Sequence, residues 1–303
     1  MIQGSWRYFV YKFFRDLGFD ASIDHRDKNW RVDDPYSYRC WYTEDIQDRE
    51  TLLITVGDSW TFGDHLGKID WERFHDDPVR LTQIYGRLLA DQLSADWVNL
   101  ARPGCSNYWM LEKLQDIEHH LRRVQSQYKR IIVIITLTED LREATYTRRI
   151  DVTAAYDQFC QTSNTLKDFL VLVENYLFDY LNEYFSRLLH VDFYVSRAFT
   201  DSWSTRPWML DRTWCDVIQD QIKYNDYQQP VPFIAQMSIN PLKDRYLKQR
   251  PDFKQEFVDI MEQVESRWGF LGASKYNLKG STCHPNPLGH QLWADYLYSK
   301  IDK

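Results

Sequence analysis

Short apolar runs along the chain predict the strands of a buried sheet. The runs at 52–56, 97–101 and 131–135 are almost free of charge, and the third is nearly all β-branched. Such runs are typical of parallel strands that are covered on both faces. Less pronounced runs at 190–196 and 231–237 are candidates for two further strands.

Segments with helical periodicity separate these runs. Apolar residues recur at helical spacing in 79–93 and 165–189, another helix is expected from 108, a further helix over 252–268, and an amphipathic helix at the C-terminus. Alternating strands and helices predict a three-layer α/β/α domain with a parallel, roughly five-stranded sheet. Its strands are expected to start near residues 52, 97, 131, 190 and 231, with the first of them inside the sheet.

The chain has no sharp internal boundary. Residues 1–50 are predicted to be an aromatic-rich N-terminal extension that wraps the domain or binds a protein partner, and 51–303 the domain itself. A helical and Trp-rich insertion is expected around 140–230, where it could line a substrate groove near the carboxyl edge of the sheet. Its tryptophans include Trp203, Trp208 and Trp214.

Composition narrows the classes of partner. The formal net charge is −7, which does not favour binding to nucleic acid or to an anionic membrane. Aromatic residues make up 16% of the chain, with 12 Trp and 20 Tyr. Such rings suit a sugar-binding groove or a protein interface, and they equally fill a core.

The cysteines and the N-terminal sequence indicate in which cellular compartment the protein is expected. The five cysteines are widely spaced without a C-x-x-C pair, so neither a zinc site nor a disulfide framework is indicated. There is no secretory apolar core near the N-terminus and no apolar run of transmembrane length. A cytoplasmic protein that needs no cofactor or metal is therefore expected.

The stretch TLLITVGDSWTFGD at 51–64 carries the first candidate for chemistry. The first apolar run stops at Gly57, which permits a sharp turn, and Ser59 then stands where the strand ends. Ligands of open α/β sheets bind at this edge, so Ser59 is a candidate nucleophile. The alternative is that Ser59 only caps the segment that follows.

Two motifs resemble the first and last sequence blocks of the SGNH (GDSL-type) hydrolases: GDS at 57–59 and HPNPLGH at 284–290. The resemblance implies hydrolysis of an ester, with Ser59 as the nucleophile and His284 as the base. Gly104 matches the glycine whose N–H joins the family's oxyanion hole. Asn107 is either a helix cap or a side-chain amide that faces the site.

The resemblance also points to one group of relatives. The stretch NLARPGCSN, following GDSWTFG, is similar to SGNH-like proteins of tailed bacteriophages. That similarity makes a virion protein the expected alternative to a cytoplasmic enzyme.

Two positions depart from the family pattern. Glu139 stands where the family has an oxyanion-donating asparagine, and an ionised carboxylate cannot donate a hydrogen bond. Asn107 or Thr138 would then have to supply the donor. Ser281 stands where the family has the aspartate that orients the histidine, which leaves a Ser–His dyad.

Two functions of different class follow. The first is a serine esterase acting through Ser59 and His284, with an acyl ester or an acylated carbohydrate as substrate. The second is a catalytically degenerate scaffold with a structural or interaction role. His290 forms a histidine pair with His284, but no matching carboxylate cluster accompanies them, so a metal site is not expected.

Overall fold

The computed structural model describes residues 43–45, 47, 49–63, 66, 78–101, 105–124, 126–138, 150–188, 191–198, 202, 204–221, 246–260 and 284–301. The strands are β1 (Thr43–Asp45), β2 (Thr51–Gly57), β3 (Ala95–Asn99), β4 (Arg130–Leu137) and β5 (Val191–Arg197). The helices are α1 (Ser59–Phe62), α2 (Pro78–Gln83), α3 (Tyr85–Gln92), α4 (Asn107–Val124), α5 (Ile150–Thr162), α6 (Leu166–Ser186), α7 (Trp214–Gln221) and α8 (Pro287–Ile301). Two more helical stretches, 246–249 and 254–260, flank a 3-10 turn at Pro251–Phe253.

The described strands form one sheet in the order β1-β3-β2-β4-β5. Strands β3, β2, β4 and β5 are parallel, and β2 pairs with β3 on one side and β4 on the other. The α/β fold with a parallel sheet is thus confirmed, and the first predicted strand lies inside the sheet. The strand predicted near 231 lies outside the described residues.

Helices cover both faces of the sheet. Alternate residues of β2 point to opposite sides, so that Leu52 and Ile54 join one hydrophobic core while Leu53 joins the other. The first core lies against α4, α5 and α6, and the second lies against α3, α7 and α8. A strand buried on both faces needs apolar residues at every position, which is why these runs lack the polar alternation of a half-exposed strand.

The edge strand β1 was not expected. Its three residues fall in the segment assigned to the N-terminal extension, yet they pair antiparallel with β3, for example Glu44 opposite Val98. The sequence Thr-Glu-Asp has no apolar signal, and charged residues are common in edge strands. The division of the chain at residue 50 stays a prediction.

The segment 79–93 was predicted as one helix and is two. Ile84 adopts an extended conformation with φ −75° and ψ 140°, and α3 begins at the next residue. The N–H of Tyr85 donates to Nδ1 of His290 at 3.2 Å. The N–H at the start of α3 is therefore satisfied by an acceptor 205 residues away, which no local pattern can indicate.

The long predicted helix at 165–189 corresponds to α6. Thr165 caps it, accepting from the Asp168 N–H at 3.0 Å, while the Asp168 side chain accepts from the Thr165 N–H at 3.2 Å. This reciprocal capping fixes the start of the helix that covers the first core.

Candidate active site

Ser59 is the first residue of the single helical turn α1, directly after the carboxyl end of the central strand β2. It is half-buried. The turn starts here because the preceding Asp58, which is fully buried, caps it: its carboxylate accepts from the Trp60 N–H at 3.0 Å. Gly63 ends the turn in the left-handed conformation, with φ 76°. The cap of this turn is thus Asp58, and the alternative interpretation of Ser59 as the cap is wrong.

Gly57 is required by close packing at the same turn. A Cβ at this position would lie 2.1 Å from Thr61 Oγ1 and 3.2 Å from the Thr136 carbonyl oxygen. Any side chain here would push Thr61 away from the strand end. The glycine therefore lets α1 fold back against the sheet.

Buried polar groups hold α1 from beneath. The Asn99 side chain donates through Nδ2 to the Thr61 carbonyl at 3.2 Å. Asn99 Oδ1 accepts from the Thr55 hydroxyl and from the Ala101 N–H, both at 3.1 Å. Because Asn99 is 1% exposed, water cannot replace these bonds, and they tie the serine turn to the ends of β2 and β3.

Tyr85 holds the same turn from the side of α3. Its hydroxyl donates to Thr61 Oγ1 at 3.4 Å and lies 3.3 Å from Thr136 Oγ1. Burial raises the pKa of Tyr85 to about 12, although hydrogen bonds with Thr136 and Thr61 act in the opposite direction. The phenol is therefore neutral at physiological pH.

His284 lies just before α8, and both of its ring nitrogens are shielded from solvent. Pro285 follows it and is buried, and its ring restricts φ at this point of the loop. Asn286 Oδ1 accepts from the Gly289 N–H at 3.1 Å, which holds the first turn of α8 in place. The sequence HPN thus supplies the histidine, a rigid residue and a helix-capping side chain in succession.

His290 has a structural environment. It is 1% exposed, and its Nδ1 accepts from the Tyr85 N–H. Burial lowers the pKa of His290 to about 3, and the charge of His284 acts in the same direction. His290 is therefore neutral, with Nδ1 as its unprotonated nitrogen.

Trp214 connects the serine turn with the start of α8. Its ring packs edge-on against Trp60 at 5.3 Å between centroids and against His290 at 4.9 Å. Its indole N–H donates to the Gly289 carbonyl at 3.1 Å. Trp214 is fully buried, so it fills the core and does not line a groove as predicted. Trp208 is half-buried, and Trp203 lies outside the described residues.

Asn107 lies on the other side of the strand ends, where it pairs with the backbone of Thr138. Its Nδ2 donates to the Thr138 carbonyl at 3.1 Å, and its Oδ1 accepts from the Thr138 N–H at 2.8 Å. The interpretation of Asn107 as a helix cap is wrong. Ser106 takes that role, because its hydroxyl oxygen accepts from the Trp109 N–H at 3.2 Å.

A buried ion pair extends this contact. Arg197, the last residue of β5, bonds through Nη2 to Glu174 Oε1 of α6 and through Nη1 to the Thr138 carbonyl at 3.3 Å. The Glu174 carboxylate also accepts from the N–H and hydroxyl of Ser204, at 2.7 Å and 3.0 Å. Arg197 and Glu174 are 2% and 0% exposed. Charge and hydrogen bonds together fix the segment after β5 to α6.

The remaining predicted site positions lie outside the described residues. They are Gly104, Glu139 and Ser281. The roles predicted for Ser59, His284, Gly104 and Asn107 stay predictions. Sequence reasoning missed the polar groups around the turn. The sequence does signal the Asp58 cap, because an aspartate directly before a helical turn is a common cap. It carries no signal for the contact of Tyr85 with Thr61, which are 24 residues apart.

Two further observations concern metals and membranes. Within the described ranges, no group of three or more His, Cys, Asp or Glu side chains is placed to hold a metal ion. None of the helices in the described part of the chain is long and apolar enough to span a membrane.

Comparison with known families gives one match over most of the chain. A family model described as GDSL-like lipase/acylhydrolase matches residues 53–297. This range includes both sequence motifs and all of the sheet except β1 and the first two residues of β2. No curated protein sequence matches the chain significantly.

Several solved structures are similar. A carbohydrate esterase family 2 enzyme with a carbohydrate-binding domain from Corynascus thermopiles is 14% identical, with a TM-score of 0.37, covering 86% of this chain and 68% of that one. An acetyl xylan esterase from Butyrivibrio proteoclasticus is 13% identical, with a TM-score of 0.38, covering 85% and 65%. A lipolytic protein of the G-D-S-L family from Desulfitobacterium hafniense is 11% identical, with a TM-score of 0.32, covering 82% and 99%. The chain thus spans about two thirds of the length of the two carbohydrate esterase structures.

Proposed function

The chain belongs to the GDSL-like lipase/acylhydrolase family, and on that premise we propose that it is a serine esterase with Ser59 and His284 as its catalytic dyad. Ser59 Oγ attacks the carbonyl carbon of the ester while His284 accepts the hydroxyl proton. The bond from the carbonyl carbon to the alkoxy oxygen then breaks, and His284 returns the proton to the leaving alcohol. Water then attacks the acyl carbon while His284 accepts its proton. The bond to Ser59 Oγ breaks, His284 returns the proton to Ser59, and the carboxylic acid leaves.

One observation carries this proposal: the position of Ser59 at the carboxyl end of the central strand, on a turn that buried hydrogen bonds from Asp58 and Asn99 hold in place. Ligands of open α/β sheets bind at this edge. The link from Trp60 through Trp214 to Gly289 supports a histidine from the loop before α8 as the partner of this serine.

The developing oxyanion needs hydrogen-bond donors. We assign this role to the N–H groups of Ser59 and Gly104 and to the side-chain amide of Asn107. The support for this role is the fixed orientation of the amide: one of the two N–H bonds of Nδ2 donates to the Thr138 carbonyl, and Oδ1 accepts from the Thr138 N–H. A pre-positioned donor contributes more to catalysis than one that must be ordered during the reaction.

For the substrate, we propose the ester of an acylated carbohydrate. The support is the aromatic content of the chain, since flat amphipathic rings suit sugar faces. Trp208 is half-buried, and its indole N–H bonds to Asn182 Oδ1 at 2.6 Å, which leaves this ring fixed at the surface of the segment after β5.

The test is turnover of 4-nitrophenyl acetate and release of acetate from acetylated xylan by the wild-type protein and its variants. Ser59→Ala is expected to lower the rate at least about 10³-fold, because removal of a serine nucleophile abolishes the covalent route. Ser299→Ala is the matched control, since Ser299 is on the exposed side of α8 and its hydroxyl bonds to the Tyr296 carbonyl of the same helix, and it should leave the rate unchanged. Wild-type turnover no faster than that of Ser59→Ala would contradict the proposal.

A second candidate is a scaffold without catalysis, such as a structural protein of a phage virion. Glu139 and Ser281 at the family's asparagine and aspartate positions favour it. Turnover of neither ester, together with a protein that unfolds cooperatively, would support this alternative.

A further inference from the structure

We infer that Tyr85 is the positioning residue that holds the nucleophile turn and the histidine-bearing helix in register, an inference that rests on the proposed function. Tyr85 contacts both partners with different groups. Its hydroxyl reaches Thr61, two residues after Ser59, and its backbone N–H reaches His290, six residues after His284. Tyr85 thus forms hydrogen bonds both to the serine turn and to the helix that follows His284.

The contact with the serine turn is made by a side chain that is itself rigid. Tyr85 is fully buried, and its ring packs edge-on against Trp214 at 5.1 Å. Its hydroxyl lies between Thr61 Oγ1 and Thr136 Oγ1, at the ends of α1 and β4. Because α1 is only four residues long, it has little internal stability, and its orientation depends on such external bonds.

The contact with α8 is made by the backbone. Since Ile84 is extended, the Tyr85 N–H at the start of α3 points to His290 and bonds to Nδ1 at 3.2 Å. The two rings lie nearly parallel, 14° apart, with centroids 6.3 Å apart. His290 is in the first turns of the helix that follows the His284 loop, so a shift of α3 would move the base as well as the turn.

This arrangement matters for rate more than for substrate binding. Tyr85 is fully buried and so is not placed to touch the substrate. Loss of its hydroxyl frees the Ser59 turn while the backbone bond to His290 remains, so the turn shifts relative to the histidine-bearing helix. A misplacement of catalytic groups by a fraction of an ångström lowers the rate of the chemical step. Tyr85 should therefore affect kcat while KM stays nearly constant.

The experiment compares two conservative substitutions. Tyr85→Phe removes only the hydroxyl, and Tyr184→Phe does the same to another buried tyrosine, whose hydroxyl donates to the Leu114 carbonyl at 2.6 Å between α4 and α6. Both variants should lower Tm, by about 2–4 °C for each buried hydrogen bond lost, which is two bonds for Tyr85 and one for Tyr184. Only Tyr85→Phe should slow fluorophosphonate labelling and kcat, by about tenfold, with KM within about twofold of wild type.

Thr61→Val provides a second route, because it removes the other partner of the bond. If Tyr85 acts through Thr61, the double variant Tyr85→Phe/Thr61→Val should be no slower than the slower single variant. Labelling of Tyr85→Phe at the rate of Tyr184→Phe, or additive losses in the double variant, would overturn the inference while leaving the proposed function intact. A wild-type protein that is not labelled at all would overturn both.

Discussion

The helices on the two faces of the sheet are fixed to the carboxyl ends of the strands by different polar groups. On the face of α3, α7 and α8 the contacts are neutral: the Tyr85 hydroxyl, and Nδ1 of His290 accepting a backbone N–H. On the face of α4 and α6, an ion pair between Arg197 and Glu174 joins the pairing of Asn107 with Thr138. Both groups of contacts are buried.

This difference means that the two faces should respond to different changes. A neutral hydrogen bond contributes about 1 kcal/mol to the free energy of unfolding. When its acceptor is a histidine that must stay neutral, this contribution depends on pH. An ion pair that includes arginine keeps its cation at any ordinary pH, and it is instead sensitive to loss of either partner. Removal of one charge of the ion pair should destabilise the α4 and α6 face, and protonation of His290 should destabilise the face of α8.

The largest effect is expected from Glu174→Leu. This change leaves the Arg197 guanidinium buried without its carboxylate, which should lower the free energy of unfolding by about 3–5 kcal/mol. Urea unfolding at neutral pH measures the loss. The double variant Glu174→Leu/Arg197→Met should recover most of it, because it removes both charges.

The matched control is the exposed pair of Arg187 and Glu183, one turn apart at the end of α6. Glu183→Ala should change the free energy of unfolding by less than about 1 kcal/mol, since solvent screens this pair. Equal losses in Glu174→Leu and Glu183→Ala would show that the buried pair has no special role on its face.

A smaller effect is expected from acid. The folded protein holds His290 neutral with a pKa of about 3, whereas the unfolded chain takes up this proton near 6.5. The contribution of neutral His290 to the free energy of unfolding is therefore fully present above pH 6.5 and is lost as the pH falls towards 3. At a pH of about 4.5 the loss from this group is of the order of 3 kcal/mol.

His290→Gln tests the acid effect, because glutamine offers an acceptor to the Tyr85 N–H without titrating. The difference in unfolding free energy between neutral and acidic solution should be smaller in this variant than in wild type. Tyr184→Phe should keep the wild-type difference, since its change lies on the other face and removes no group that titrates in acid. The same acid loss in His290→Gln as in wild type would contradict the assignment.

Local pattern was enough to predict most of the sheet. An unbroken β-branched run such as Ile131–Ile135 favours a buried strand, which agrees with its position inside the sheet between β2 and β5. Strand β1 could not be predicted, because an edge strand of Thr, Glu and Asp carries no apolar signal. The break at Ile84 has no local signal either, and the acceptor of the Tyr85 N–H that follows it is His290, which only the folded chain brings near.

The candidate site was predicted in part for the same reason. Ser59 follows from the abrupt end of β2 at a glycine, and His284 from a proline-stiffened loop. The groups that hold the turn are ordinary in the sequence: Tyr85 lies in a helical pattern and Thr61 beside a tryptophan. Their roles arise from contacts between distant segments, so only the structure reveals them.

The central claim is that Ser59 is a nucleophile activated by His284, and the most direct measurement is the location of a fluorophosphonate adduct by peptide mass spectrometry. The account predicts one phosphonyl group on the peptide that contains Ser59, absent in Ser59→Ala and formed at least about 10²-fold more slowly in His284→Ala. The Ser299→Ala control should label as the wild type does. An adduct on another residue, or labelling of Ser59 at the same rate in His284→Ala, would contradict it.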